Sequence, residues 1–262
     1  MELTFKNIIY EKKEEYAIIT INRPQVLNAL NKETLQEIKN ALSDAESDGN
    51  VRVVIITGYG PRAFSVGADV AEFKKDSMIE VHGFLQFGRE VFNSIENLDK
   101  PVIAAVNGLA LGGGFELAMA CDMIIASDQA RFGQTEVNLG IMPGWGGTQR
   151  LTRIVGVKKA KEMVMLGRII SADEAFNLNI VNKVCPSERL MEEAVVMAKE
   201  IASKSSIATK FIKKAVNTAL ETSISYGITY EGALLKLLLN SEDAQEGISA
   251  FLEKRKPLWK GK

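Results

Sequence analysis

Histidine is almost missing from these 262 residues, His82 being the single one. A Ser-His or Cys-His triad would have to run through that side chain, and no Gly-x-Ser-x-Gly turn supplies a serine, so triad hydrolysis is disfavoured. A histidine-rich zinc site goes out for the same reason, and no metal is expected. Cysteine is scarce as well. Cys121 and Cys185 lie in apolar surroundings without CxxC spacing, which argues against a disulfide scaffold and fits reduced thiols. Neither sign of charge is in excess: Lys plus Arg number 32 against 33 for Asp plus Glu, a net of −1 without a basic cluster. General attraction to nucleic acid or to an acidic membrane is therefore not expected. There is no run of about 18 apolar residues to span a bilayer, and no charged start followed by an apolar stretch to mark a signal peptide. A soluble, cytoplasmic protein is expected, one that catches any anionic ligand with local groups.

What is present is a large apolar fraction, 46%, enough for a sizeable core. Short β-rich runs recur at 17–21, 53–57, 102–106, 123–126 and 180–184. Several are apolar on both faces, as buried strands are. Between them lie helical patterns: Leu35, Ile38, Leu42 and Ala45 after the expected N-cap Asn31, then Phe84, Phe87, Val91, Ile95 and Leu98. This alternation predicts βα units and an α/β core. After Pro186 the character changes, with helical patterning at 190–201, 207–220 and 228–239 and no convincing strand. The expected organisation is a core over residues 1–186 and a helical region over 187–262. The run Leu234, Leu235, Leu237, Leu238, Leu239 is more apolar than one exposed helix tolerates, so it is laid either onto the core or against another subunit.

One carboxylate breaks the apolar pattern. Glu116 stands in the run Phe115-Glu116-Leu117-Ala118-Met119-Ala120-Cys121, directly after Gly112, Gly113 and Gly114. An unpaired buried carboxylate costs several kcal/mol and a glycine inside a helix about 1 kcal/mol, so packing alone disfavours both. Either Glu116 is satisfied by an arginine or backbone donors, or it is an acid or base one turn from free N–H groups at a helix start. Three more glycine-centred segments stand out: Ala63-Phe64-Ser65-Val66-Gly67-Ala68-Asp69, the stretch 130–140 containing Glu136, and Pro143-Gly144-Trp145-Gly146-Gly147-Thr148-Gln149-Arg150.

In their order and spacing these segments resemble the enoyl-CoA hydratase/isomerase family, the crotonase superfamily. The likeness extends to Asn22-Arg23-Pro24, Leu27-Asn28-Ala29-Leu30, Ser241-Glu242-Asp243, Ala250-Phe251 and Glu253-Lys254-Arg255. It implies a spiral of ββα turns, a ClpP/crotonase-like α/β fold, with a C-terminal helical region that assembles homotrimers or a homohexamer. It implies reversible hydration of a short trans-2-enoyl-CoA to a 3-hydroxyacyl-CoA, with no cofactor beyond the coenzyme A of the substrate itself. By the same resemblance Glu116 and Glu136 hold one water, Glu116 as base and Glu136 as proton donor, and the backbone of Ala68 and Gly113 forms an oxyanion hole. Gly144 lines the water site and Trp145 walls the acyl pocket. The substrate and its CoA moiety would lie along Val66, Ala68, Asp69, Val70 and Ala71, with Arg23, Phe251 and Lys254 as further contacts, the last two from a neighbouring subunit. Ala71 stands where many relatives carry Lys, Phe115 replaces a small residue, and Thr135 replaces Pro. The resemblance also leaves room for a dedicated 3-hydroxyacyl-CoA dehydratase, such as one for 3-hydroxypropionyl-CoA, for an enoyl-CoA isomerase, or for an RNA-binding or inactive acyl-CoA-binding member.

Overall fold

The computed structural model describes residues 4–74 and 77–262. The chain begins with the hairpin β1 (Ile8–Lys12) and β2 (Tyr16–Ile21), followed by α1 (Lys32–Ser47). Three further strand–strand–helix passes follow: β3 (Val53–Gly58), β4 (Ala63–Ser65) and α2 (Met78–Asn97); β5 (Val102–Val106), β6 (Leu109–Leu111) and α3 (Gly113–Ala120); β7 (Met123–Ser127), β8 (Arg131–Gly133) and α4 (Gly147–Val155). Then come α5 (Val157–Leu166), β9 (Ile169–Ser171), α6 (Ala172–Asn177) and β10 (Lys183–Cys185). Helices α7 (Leu190–Ala202), α8 (Ser206–Thr218), α9 (Ile224–Leu239) and α10 (Glu242–Leu252) complete the order.

A six-stranded sheet runs β1-β2-β3-β5-β7-β10 and a four-stranded sheet β4-β6-β8-β9. From the second pass onward each pass lays its first strand in the large sheet and its second in the small one. The passes stack as parallel neighbours, β3 on β5 on β7 and β4 on β6 on β8. That is a spiral, and it aligns the turns after β4, β6 and β8 on one side.

Burial on both faces explains the continuous apolar runs. Val54, Ile56, Val102 and Ala104 pack with Leu35, Ile38 and Phe92 of α1 and α2. On the other face Val53, Ile55 and Ile103 meet Leu190, Ala194 and Ala198 of α7. Asn31 caps α1 as expected, its Oδ1 accepting the Thr34 N–H at 2.9 Å.

The run at 180–184 starts its strand later than its pattern suggests. Asn182 Oδ1 accepts the Ile124 N–H at 2.7 Å while its own N–H donates to Ile124 O. A side chain thus stands in for the ladder, which begins only at Lys183. Ile180 and Val181 are buried in the turn before it.

The C-terminal helices differ from one another. Helix α7 covers the sheet, whereas α8 reaches the core through Lys213, whose Nζ donates to Ile95 O, Lys100 O and Asp122 Oδ2. Helix α9 buries no residue at all. Helix α10, a segment without an expected helical pattern, is capped by Ser241, which accepts the Ala244 N–H. Buried Asp243 ties it to Ser205 and to the tail at Lys260 and Gly261. Among the described residues no helix is long and apolar enough to cross a membrane.

Candidate active site

The turns after β4 and β6 meet at two backbone amides. Leu30 donates to Gly67 O and accepts from Asp69 N, a single parallel bridge that uses both neighbours of Ala68. The Ala68 N–H therefore points to the other side of the strand, toward the start of α3. Gly113 is the first residue of α3 and has no intrahelical acceptor for its own N–H. Among the described residues neither amide has an acceptor in the protein.

They are close together because both turns are glycine. A methyl group on Gly67 would stand 2.6 Å from Gly113 N, and one on Gly113 would stand 3.2 Å from Ala68 N. Gly112 holds φ +50, a conformation that L side chains rarely adopt. Two unpaired N–H groups at a helix start form a small positive concavity suited to an oxygen that gains negative charge.

Glu116 follows one turn into α3, whose residues are all buried. Its Oε1 accepts from Trp145 N at 2.8 Å and Gly147 N at 2.6 Å. Burial pushes its carboxyl above the ordinary range, opposed by the N–H groups of Gly147, Trp145 and Gly144 and by the Arg150 charge. Glu136 opens the short 3-10 helix Glu136–Leu139 after β8. Its Oε1 lies 3.4 Å from where a methyl on Gly112 would sit, so the carboxylate faces the glycine turn of α3. Burial, opposed by its own N–H and reinforced by the Glu116 charge, pushes Glu136 up to about 7.

A residue that the sequence pattern did not single out stands between the two. Gln134 is fully buried, and with its amide nitrogen turned toward Glu136 it donates to Oε1 at 2.9 Å and Oε2 at 3.1 Å. Its other side abuts Gly147. A polar residue of zero exposure two positions before an acid is the only signal that could have found it, and exposure is not written in the sequence.

The other expected contacts are placed as follows. The Trp145 ring is 2% exposed and packs edge-on against Phe84 and Phe92, with its six-membered ring 2.6 Å from the position of a methyl on Gly113. The indole is thus a floor beneath the glycine turn at the start of α3. Gly144 begins the turn whose amides reach Glu116. Arg23 is already engaged: Nη1 donates to Ala29 O at 2.6 Å, and both Nη1 and Nη2 reach Asp69 Oδ2 at 3.1 Å. Asp69 in turn caps the 3-10 helix Val70–Phe73, so part of the expected loop is helical. Arg23 and Asp69 therefore brace the Ala68 turn, Val66 is held there by Leu27 O, and Val70 and Ala71 present an exposed surface beside it. Phe251 is 82% exposed and Lys254 is exposed too, with φ +56, and among the described residues no side-chain hydrogen bond or ion pair joins either to this site.

Known proteins resemble this chain over nearly its whole length. The family model described as enoyl-CoA hydratase/isomerase matches residues 11–262. The chain is 48% identical to a crotonyl-CoA hydratase of Syntrophomonas wolfei, over 97% of this chain and 98% of the relative. It is 46% identical to a short-chain-enoyl-CoA hydratase of Clostridium acetobutylicum, over 98% and 97% respectively. A crystal structure of enoyl-CoA hydratase from Bacillus anthracis superposes with a TM-score of 0.94 at 40% identity, covering 98% of this chain and 100% of that one. The chain belongs to the enoyl-CoA hydratase/isomerase family.

Proposed function

We propose that this protein adds water reversibly across the double bond of a short trans-2-enoyl-CoA, giving the 3-hydroxyacyl-CoA. One observation carries the reading: a buried acid, Glu116, and a half-buried one, Glu136, sit beside two unpaired amides, Ala68 and Gly113. The thioester oxygen lies between those amides and gathers charge as water adds at the β-carbon. A single such donor is worth about 10²–10³ in kcat. Glu116, whose Oε1 accepts from the Trp145 and Gly147 amides, takes the water proton in its ionised form, and the hydroxyl oxygen bonds to the β-carbon. Glu136, the acid whose affinity is raised toward neutrality, delivers its proton to the α-carbon as the enolate collapses. Exchange of one proton with solvent restores the pair. The proton transfers need no metal or redox group.

The names of the two relatives, a crotonyl-CoA hydratase and a short-chain-enoyl-CoA hydratase, support a short acyl chain for this protein as well. Because Arg23 is spent on Asp69, the CoA moiety is held by the exposed Val70–Ala71 surface and by Phe251 and Lys254 of a second copy in a homotrimer or homohexamer. The two buried thiols suit a reducing cytoplasm. Loss of the conjugated-thioester absorbance is the assay, run from crotonyl-CoA to decenoyl-CoA. Fastest loss with crotonyl-CoA is expected. Thioester binding without any loss of absorbance would overturn the reading.

A further inference from the structure

Behind Glu116 lies a second layer of hydrogen bonds that the water-addition chemistry does not itself use. Arg150, in the first turns of α4, is 9% exposed. Its Nη1 donates to Trp145 O at 2.8 Å, on the turn whose Trp145 and Gly147 amides hold Glu116 Oε1. The rest of the fork is anchored on α2: Nε and Nη2 reach Glu96 Oε2 at 3.3 and 2.7 Å, and Nη2 reaches Asn93 Oδ1 at 3.0 Å. Glu96 is the solvent-side partner, with a side chain 42% exposed against 10% for Arg150, so water screens the anion more than the cation. Room for the guanidinium comes from Gly146, which holds φ +108 and whose missing methyl group would overlap Nη1.

We propose that Arg150 is the positioning residue of this site: its fork fixes the Gly144–Gly147 turn against α2, so that the turn's amides converge on the Glu116 carboxylate. The proposal rests on the hydratase reading of Glu116. A planar, always charged guanidinium spreads its donors over three nitrogens in a fixed geometry, so it spans the Trp145 carbonyl and the Glu96 carboxylate, whereas a lysine gathers its donors at one point on a flexible stem. The Arg150 charge also favours the ionised form of Glu116, while burial opposes it.

The test compares R150M, R150K and E116Q in the intact protein by crotonyl-CoA hydration from acid to alkaline pH, with thermal unfolding on the same samples. R150M is expected to fold and to lose about 10² in kcat, the size of a lost preorganised donor, with KM changed only a few-fold. The acidic limb of its kcat/KM profile should move to higher pH, because a cation that favours the carboxylate has gone. R150K keeps the charge and loses the fork, so it should lose rate with a smaller displacement of that limb. A folded R150M with normal kcat, or with reduced kcat and an unmoved acidic limb, would reduce Arg150 to an anchor of α4 and overturn the proposal. Should R150M fail to fold, R150K is judged by rate loss alone, and wild-type kcat in it overturns the proposal equally. E116Q separates the two levels: normal hydration by E116Q sinks the reading of the site itself, whereas an inactive E116Q beside a normal R150M sinks only the part given to Arg150.

Discussion

At the scale of single residues, the two glutamates were legible to different degrees. Glu116 announced itself as a charge inside an apolar run that ends up wholly buried. Glu136 did not, because its neighbours read as an ordinary loop and only its place in a multi-segment pattern marked it. Gln134 gave no signal, since its importance comes from facing Glu136 across a turn. The raised proton affinity of Glu136, about 7, makes a stability prediction. The native state keeps a proton that the unfolded chain has released above an ordinary value of 4.5. Its stabilising contribution is therefore full below the unfolded value and is lost as pH rises through about 7. E136Q cannot ionise, so its Tm should fall less than that of the wild type between about pH 5 and about pH 8. An identical fall in both proteins would show that Glu136 ionises normally. In turnover, E136Q and E116Q should each lose at least about 100-fold on the proposed mechanism, in which both acids serve one water, and the double variant should lose far less than the product. Full multiplicativity would mean that the two act in separate steps. Gln134 donates to the carboxylate, so Q134M should raise the affinity of Glu136 further and move the alkaline limb of the hydration profile upward. A limb that stays in place would argue that the amide does not face Glu136 in solution.

The elements explain why the site forms where it does. Strands β3 and β5 are legible from sequence because burial on both faces demands unbroken apolar runs, and α1 because Asn31 and a regular stripe mark its start. Element ends set by side-chain substitution for backbone pairing are not legible in that way. Asn182 delays β10, and Asp69 turns an expected loop into a 3-10 helix. Helix α3 carries both Gly113 and Glu116, and its first turn is constrained from two sides. From the backbone argument alone, G113A is a mild change beside G113P, which deletes the N–H. The structure alters that comparison: the new methyl would stand 2.6 and 2.7 Å from the buried Trp145 ring, which cannot swing away between Phe84 and Phe92. G113A should therefore lose stability by about 1–3 kcal/mol, as overpacking does, together with activity. A smaller residue at 145 gives the methyl room, so G113A/W145L should recover activity relative to G113A even though W145L by itself opens a cavity. Calorimetry and hydration rates on the three variants provide the check. Failure of the second change to restore any activity would mean that the amide's direction, rather than the clash, is what G113A disturbs.

On the scale of the whole molecule, the chain has more apolar surface than one protomer covers. The leucine-rich run showed that excess in the sequence, but sequence has no coordinate for the surface opposite, which is why two destinations stayed open. The structure divides the run: no residue of α9 is fully buried, Leu234 and Leu238 are half-buried within the protomer, and Leu235, Leu237 and Leu239 stay exposed. Ile224, Ile228, Leu235 and Leu239 recur at helical spacing and are 83%, 62%, 54% and 49% exposed, and Phe251 and Leu252 on α10 are 82% and 74% exposed. Patches of this extent mark association surfaces. The double substitution I228E/L235E places charge on that stripe without touching a buried residue, so the protomer should keep its thermal transition while its mass by light scattering falls. If Phe251 and Lys254 serve the site of a neighbouring copy, the same variant should also raise KM for crotonyl-CoA, whereas K254A should raise KM with the mass unchanged. In both cases kcat should move little, because a contact to the CoA moiety binds ground and transition states alike. The double variant with the original mass and the original KM would show that α9 neither joins the subunits nor bears on the thioester. A fallen mass with an unchanged KM would separate the two roles, leaving assembly to α9 and the CoA contact to groups within one protomer.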